Sequence, residues 1–217
     1  MEKDEITAAL LGYDTPALSD VLDNLGINGG CSGILPRAKN TKIAGRAFTV
    51  KFEPVSSGVS AIAGDYIDDV PEDSVIVIDN DGFDKCTVWG DILTLVAQIR
   101  GLAGTVIDGA CRDLGELSTS DYPVFSKHVF MKTGKNRVRL ATVQETITLS
   151  GTVINPGDFI RADKSGVLAI PQGEIGGVLE GAKIVAGLEE QIRDAVRNGM
   201  RLDEARKRFK YNQPFKK

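Results

Sequence analysis

At 217 residues, with 42% hydrophobic and 26% charged side chains and a formal net charge of −4, the chain has the composition of a folded globular protein, and nothing basic in it points to a nucleic-acid partner. The longest apolar runs, residues 75–78 and 93–97, fall far short of the ~20 residues that span a bilayer. The acidic start Met1-Glu2-Lys3-Asp4-Glu5 lacks the basic-then-apolar order of a signal peptide, so a cytoplasmic protein without a membrane partner is expected.

In chain order, Ile6, Ala9 and Leu10 share one helical face, and Thr15-Pro16 opens a second helix through Leu18, Val21, Leu22 and Leu25 that Gly26 closes. A strand is expected over residues 43–52 and a small-residue helix over residues 55–64. Residues 75–78 read as a short buried strand ending in the turn signature Asp79-Asn80-Asp81-Gly82. The second half is strand-rich, over residues 146–154, 159–162 and 167–170, with Asn155-Pro156-Gly157-Asp158 and Asp163-Lys164-Ser165-Gly166 as turns. A long helix follows over residues 174–198 and stops at Gly199. Arg206, Lys207, Arg208 and Lys210 read as a solvated helix end. The organisation is that of one domain over residues 1–217, with a core at about residues 15–199 and a helical tail over residues 200–217.

Absences narrow the chemistry. His128 is the only histidine, so a multi-histidine metal centre within one chain is excluded. Cys31, Cys86 and Cys111 are odd in number and widely spaced, which argues for buried small hydrophobes rather than disulfides or zinc ligands. The glycines at 173, 176, 177 and 181 do not form a dinucleotide fingerprint and there is no phosphate-loop motif, so no nucleotide cofactor is expected.

The informative stretch lies between two strands. Ile92, Leu95, Val96 and Ile99 follow the i, i+3, i+4, i+7 spacing of a helix that begins at Gly90. The first amides of a helix have no internal partner and carry the positive end of the peptide dipoles, so Gly90, Asp91, Ile92 and Leu93 can receive a carboxylate. The next strand, residues 105–107, runs into Asp108-Gly109, after which Ala110-Cys111-Arg112-Asp113 is expected to start another helix. Strand-helix-strand order favours parallel neighbours, which places both helix openings at one sheet edge, where open α/β sheets bind ligands. Arg112 offers a planar fork for a carboxylate, and Asp113 offers hard oxygen donors for magnesium or manganese. On spacing alone, the same two residues also fit an ion pair at a helix start with Asp113 as cap.

Trp89-Gly90-Asp91-Ile92-Leu93, then Ala97, Gly101 and Gly104, then Val106-Ile107-Asp108-Gly109-Ala110-Cys111-Arg112-Asp113, resemble the signature of the RraA-like family. Leu18-Ser19-Asp20-Val21-Leu22, Gly45-Arg46-Ala47-Phe48-Thr49-Val50, Pro123-Val124-Phe125 and Asn155-Pro156-Gly157-Asp158 are similar in order and spacing, so the resemblance spans about residues 15–199. It implies an α/β fold of the swivelling β/β/α type with flanking N- and C-terminal helices, assembled as homotrimers that can pair into hexamers, with the site near a subunit boundary. The family includes 4-hydroxy-4-methyl-2-oxoglutarate and 4-carboxy-4-hydroxy-2-oxoadipate aldolases that also decarboxylate oxaloacetate, and the regulator of ribonuclease activity. In the aldolases, residues matching Gly90, Asp91, Ile92 and Leu93 bind the pyruvyl group, the one matching Arg112 binds substrate, and the one matching Asp113 contacts the metal. Ribonuclease regulators lack the acidic residue after the arginine, which this chain has.

The expected function is therefore a lyase dependent on Mg2+ or Mn2+ that releases pyruvate from a 4-hydroxy-2-oxo acid and also acts on oxaloacetate. Arg112 would orient the substrate and assist at the reacting oxygen, and Asp91 would position a water that moves the proton. No lysine lies in residues 90–113, which disfavours a Schiff-base route. The alternative is a non-catalytic RraA-like protein that binds and regulates a ribonuclease or another enzyme.

Overall fold

Four parallel strands carry the architecture: β3 (Ile43–Pro54), β4 (Ser74–Trp89), β5 (Gly104–Cys111) and β6 (Val124–Val129), adjacent in that order. The structure, a computed structural model, describes residues 3–56, 65–212 and 215. Short β1 (Gly30–Cys31) and β2 (Leu35–Pro36) lie at the two ends of the sheet. Antiparallel β10 (Phe159–Asp163) and β11 (Gly166–Ile170) extend it beyond β3, and β7 (Val138–Val143) pairs with the later part of β3. The fold class is mixed α/β, as expected.

Both faces of the parallel strands are covered, so Val75, Ile76, Val77 and Ile78 are all fully buried and read as an unbroken apolar run rather than an alternation. Ile76, Ile78 and Ile107 pack with Trp89 and with Ala97 of helix α3 (Asp91–Ile99). Val75, Val77 and Val106 face the other way, onto Ile147, Leu149 and Ile154 of a hairpin made by β8 (Ile147–Leu149) and β9 (Thr152–Ile154). A third apolar cluster joins the N-terminal helices α1 (Lys3–Leu11) and α2 (Thr15–Asn24) to the long helix α5 (Ile175–Arg197), through Leu18, Val21, Leu22, Val178, Ala182 and Val185. Helix α2 starts where the Asp14 carboxylate accepts the Ala17 amide at 3.0 Å, with Pro16 in the first turn where its missing N–H leaves no bond unmade.

Several expectations are corrected. The turn signature after residue 78 does not end its strand. Asp81 and Gly82 do adopt left-handed backbone, φ 51° and 64°, but they form a bulge, and β4 continues to Trp89. The pairs Asp79 with Asp108, Phe83 with Gly109, Thr87 with Ala110 and Trp89 with Cys111 show how far β4 bows out from its neighbour. The strand expected over residues 146–154 is the β8–β9 hairpin, turning at Ser150 and Gly151 with φ 49° and 90°. Ala110 and Cys111 finish β5 instead of opening a helix, and only the single-turn α4 (Leu114–Leu117) follows. The small-residue helix expected over residues 55–64 falls largely on residues 57–64, which lie outside the described residues.

The three cysteines are buried and unpaired, as expected, and burial pushes the Cys31 thiol up to about 12. Helix α5 ends ahead of Gly199, and α6 (Leu202–Arg208) carries Arg206, Lys207 and Arg208 in an exposed last turn. Among the described residues, no helix is long and apolar enough to cross a membrane.

Candidate active site at the paired ends of β4 and β5

Because β4 and β5 are parallel neighbours, with Trp89 beside Cys111, the chain leaves both strands at the same edge of the sheet. The two exits are tied together. The Arg112 amide donates to the Trp89 carbonyl at 3.0 Å, and the Thr87 hydroxyl lies 2.7 Å from that carbonyl and 3.1 Å from the Ala110 carbonyl. The Trp89 indole N–H donates to Thr94 Oγ1 at 2.9 Å, and the Thr94 hydroxyl donates to the Gly90 carbonyl at 3.0 Å. Trp89 is 1% exposed and stacks on Tyr122, so the strand-to-helix turn rests on a fixed aromatic base. Neither threonine carries a sequence signal that distinguishes it from an ordinary strand or helix residue.

At the surface of this frame, the Asp91 amide and Arg112 Nε both donate to one oxygen, Asp113 Oδ2, each at 3.1 Å. Asp113 reaches that position from a left-handed backbone, φ 60° and ψ 43°. Its side chain does not cap α4, the helix it precedes; it caps α3, the neighbouring one. Gly90 has an extended backbone open to any residue, and what glycine supplies there is space: a Cβ would lie 2.5 Å from Asp113 Oδ2 and 3.2 Å from Arg112 Nε. The Ile92 amide is held by Asp91 Oδ1 at 2.8 Å. Two of the first amides of α3, those of Asp91 and Ile92, thus meet carboxylates, and both carboxylates are the chain's own.

The structure brings together Gly90, the Asp91 amide, Arg112 and Asp113, and the ion-pair alternative for Arg112 and Asp113 is realised in it. The side chains of Arg112 and Asp113 are 35% and 29% exposed, open to a ligand yet anchored. The Leu93 side chain packs into the core, whereas Ile92 is 68% exposed. Leu95 and Ile99 share that exposure at 57% and 77%, so the apolar period of α3 is real but its most regular face points outwards; Thr94 and Ala97 are the buried positions. Asp113 Oδ1 makes no hydrogen bond among the described residues. Among those residues, no group of three or more His, Cys, Asp or Glu side chains could hold a metal ion.

The RraA-like family profile, described as Aldolase/RraA, matches residues 15–169. Over 208 residues the chain is 41% identical to protein DlpA of Legionella pneumophila, an alignment covering 95% of this chain and 34% of DlpA, so the chain spans about a third of that relative's length. A Halalkalibacterium halodurans protein provisionally named 4-hydroxy-4-methyl-2-oxoglutarate aldolase is 32% identical over 169 residues, 78% of either chain. The crystal structure of Streptomyces coelicolor RraAS2, described as an unusual member of the RNase ES inhibitor RraA protein family, has the same fold. Its TM-score is 0.79 at 24% identity, covering 87% of this chain and 96% of that one.

Proposed function

The chain belongs to the RraA-like family, and from that premise we propose that it is a divalent-metal-dependent lyase that cleaves a 4-hydroxy-2-oxo acid by a retro-aldol reaction, releases pyruvate, and decarboxylates oxaloacetate as a side activity. The observation that carries this reading is the convergence of an α3 amide and Arg112 on one carboxylate oxygen beside Gly90. A point where a helix N-terminus and a guanidinium already meet an anion is suited to the C1 carboxylate of a 2-oxo acid.

Both reactions leave a pyruvate enolate, so negative charge develops on the 2-oxo oxygen. A bound Mg2+ or Mn2+ would supply positive charge at that oxygen. Asp113 would hold the cation, directly or through water. A single carboxylate suits magnesium, which keeps several of its waters and takes few protein ligands; it does not suit zinc, which takes three or four protein ligands, mostly His and Cys. The amides of Gly90, Asp91, Ile92 and Leu93 would bind the substrate carboxylate, and Arg112 would orient the substrate at the reacting oxygen. Asp91 is exposed at the rim, where its carboxylate could carry a proton by way of water.

The exposed Ile92, Leu95 and Ile99 support assembly into a homotrimer or hexamer, since a contiguous apolar helix face beside a site marks an interaction surface. The same face favours the second reading, a binding protein that regulates a ribonuclease or another enzyme. Pyruvate release from 4-hydroxy-4-methyl-2-oxoglutarate and from oxaloacetate, measured with Mg2+, Mn2+ or chelator, separates the two. Turnover that chelator abolishes supports the lyase; turnover indifferent to chelator removes the metal, and none with any hydroxylated 2-oxo diacid leaves the regulator.

A further inference from the structure

Two of the donors assigned above to the substrate are already occupied: the Asp91 amide and Arg112 Nε both hold Asp113 Oδ2 at 3.1 Å. We propose that the Asp113 carboxylate is a built-in substitute for the substrate carboxylate, displaced from these donors when a 2-oxo acid binds and thereby released toward the cation, so that anion and cation binding at this site favour each other. The inference rests on the 2-oxo acid reading given above and adds to it an order of exchange.

Three features fit displacement rather than a static ion pair. The carboxylate is bound through one oxygen only, with Oδ1 uncommitted among the described residues, so leaving breaks two contacts and no buried network. Its side chain is 29% exposed and α4 takes no cap from it, so the move strips no support from its own helix. Finally, two carboxylates cannot share the same two donors at ~3 Å without strong mutual repulsion, because each disfavours the charge of the other. An incoming substrate carboxylate therefore expels Asp113, and a cation that takes up the expelled carboxylate removes the competition. Linkage makes this reciprocal: whatever factor the anion adds to cation affinity, the cation adds to anion affinity.

The test is pyruvate binding by calorimetry on metal-free protein, for wild type, Asp113→Gly, Asp113→Asn and Glu116→Gln, each checked by circular dichroism. Glycine accepts the φ of 60° at position 113, so Asp113→Gly keeps the backbone, and Asp113→Asn keeps the shape while removing the charge. Without metal, Asp113→Gly binds pyruvate about tenfold tighter than wild type, the small size expected when the contacts that no longer have to be broken belong to a partly solvated ion pair. Asp113→Asn falls between the two. Glu116→Gln removes a nearby exposed charge on α4 without touching either donor, and its affinity stays within about twofold of wild type. Saturating Mn2+ then tightens pyruvate binding in wild type and leaves Asp113→Gly unchanged. If wild type shows the Mn2+ effect but neither Asp113 variant gains affinity in the metal-free state, or Glu116→Gln gains as much, displacement is wrong and the 2-oxo acid site stands. If wild type with Mn2+ binds no pyruvate, both fall together.

Discussion

Asp108 and Asp113 sit in one short run of chain at the end of β5, each beside a cation, and their surroundings differ in every respect that matters. The Asp108 side chain is 5% exposed; its Oδ1 accepts Lys127 Nζ at 2.9 Å and its Oδ2 accepts the Ser150 amide at 2.7 Å and hydroxyl at 3.3 Å. It ties β5 to β6 and to the turn of the β8–β9 hairpin, and both of its oxygens are engaged. Asp113 is 29% exposed, holds two donors on one oxygen and leaves the other open. A buried carboxylate with complete partners holds the fold together. A partly exposed one with an open oxygen, at the edge where two parallel strands end, is the kind that the proposed lyase reading requires.

Substitution at the two positions should therefore separate activity from stability. The largest effect is expected for Asp113→Gly, which lowers metal-dependent pyruvate release about 10²-fold or more while thermal unfolding stays within a few degrees of wild type. Arg112→Lys is expected to cost about 10²-fold in kcat/KM, because a point charge cannot reproduce the guanidinium fork. Asp108→Ala reverses the pattern. It loses roughly 2–4 kcal/mol of stability, at the low end because Lys127 is partly solvated, which is a fall of roughly 5–10 °C in the melting midpoint for a chain of this size. Should Asp108→Ala melt like wild type yet lose as much activity as Asp113→Gly, the contrast between the two aspartates would collapse.

That contrast could not be read from the sequence, where both residues follow short apolar stretches and both lie near a basic one. What was legible was local: the apolar period of α3, the buried run at residues 75–78, the parallel order of β4 and β5, and the start of α3 just after Gly90. What was not legible depends on distant partners. Asp79-Asn80-Asp81-Gly82 carries a true turn signal, yet long-range pairing with β5, and the Thr87 amide on the Lys132 carbonyl, carry the strand through it. Period alone states that α3 is a helix and cannot say that Ile92, Leu95 and Ile99 face out. The cap that Asp113 supplies to α3 rather than α4 is likewise a tertiary contact invisible in spacing.

Gly90→Ala probes the same corner more gently. The extended backbone tolerates alanine, so any penalty comes from the Cβ that would sit 2.5 Å from Asp113 Oδ2 and 3.2 Å from Arg112 Nε. The carboxylate must shift, and pyruvate release is expected to fall about tenfold with little change in melting temperature, a misplacement effect rather than a folding one. Equal activity in this variant would mean that the close approach at Gly90 serves packing alone.

The smallest effect concerns Asp163, which belongs with Asp108 rather than Asp113. Burial works against its charge, but the Thr15 amide at 2.8 Å, the Thr15 hydroxyl at 2.7 Å, the Ser165 amide at 2.8 Å and the Arg161 guanidinium together outweigh burial and hold its carboxyl below the ordinary carboxylate value. Its folded-state value is thus lower than its unfolded one, so its stabilisation is complete above about pH 4 and is lost as pH falls through the folded value. Asp163→Asn is expected to lower stability by about 1–2 kcal/mol at pH 7. Followed by thermal melts, the gap between wild type and variant should hold steady from pH 7 to about pH 5 and close below about pH 4, as wild type loses the charge that the variant never had. A gap that stayed open at pH 3 would mean that Asp163 anchors the start of α2 through shape and neutral hydrogen bonds, and that a full set of partners does not by itself mark a carboxylate the fold needs ionised.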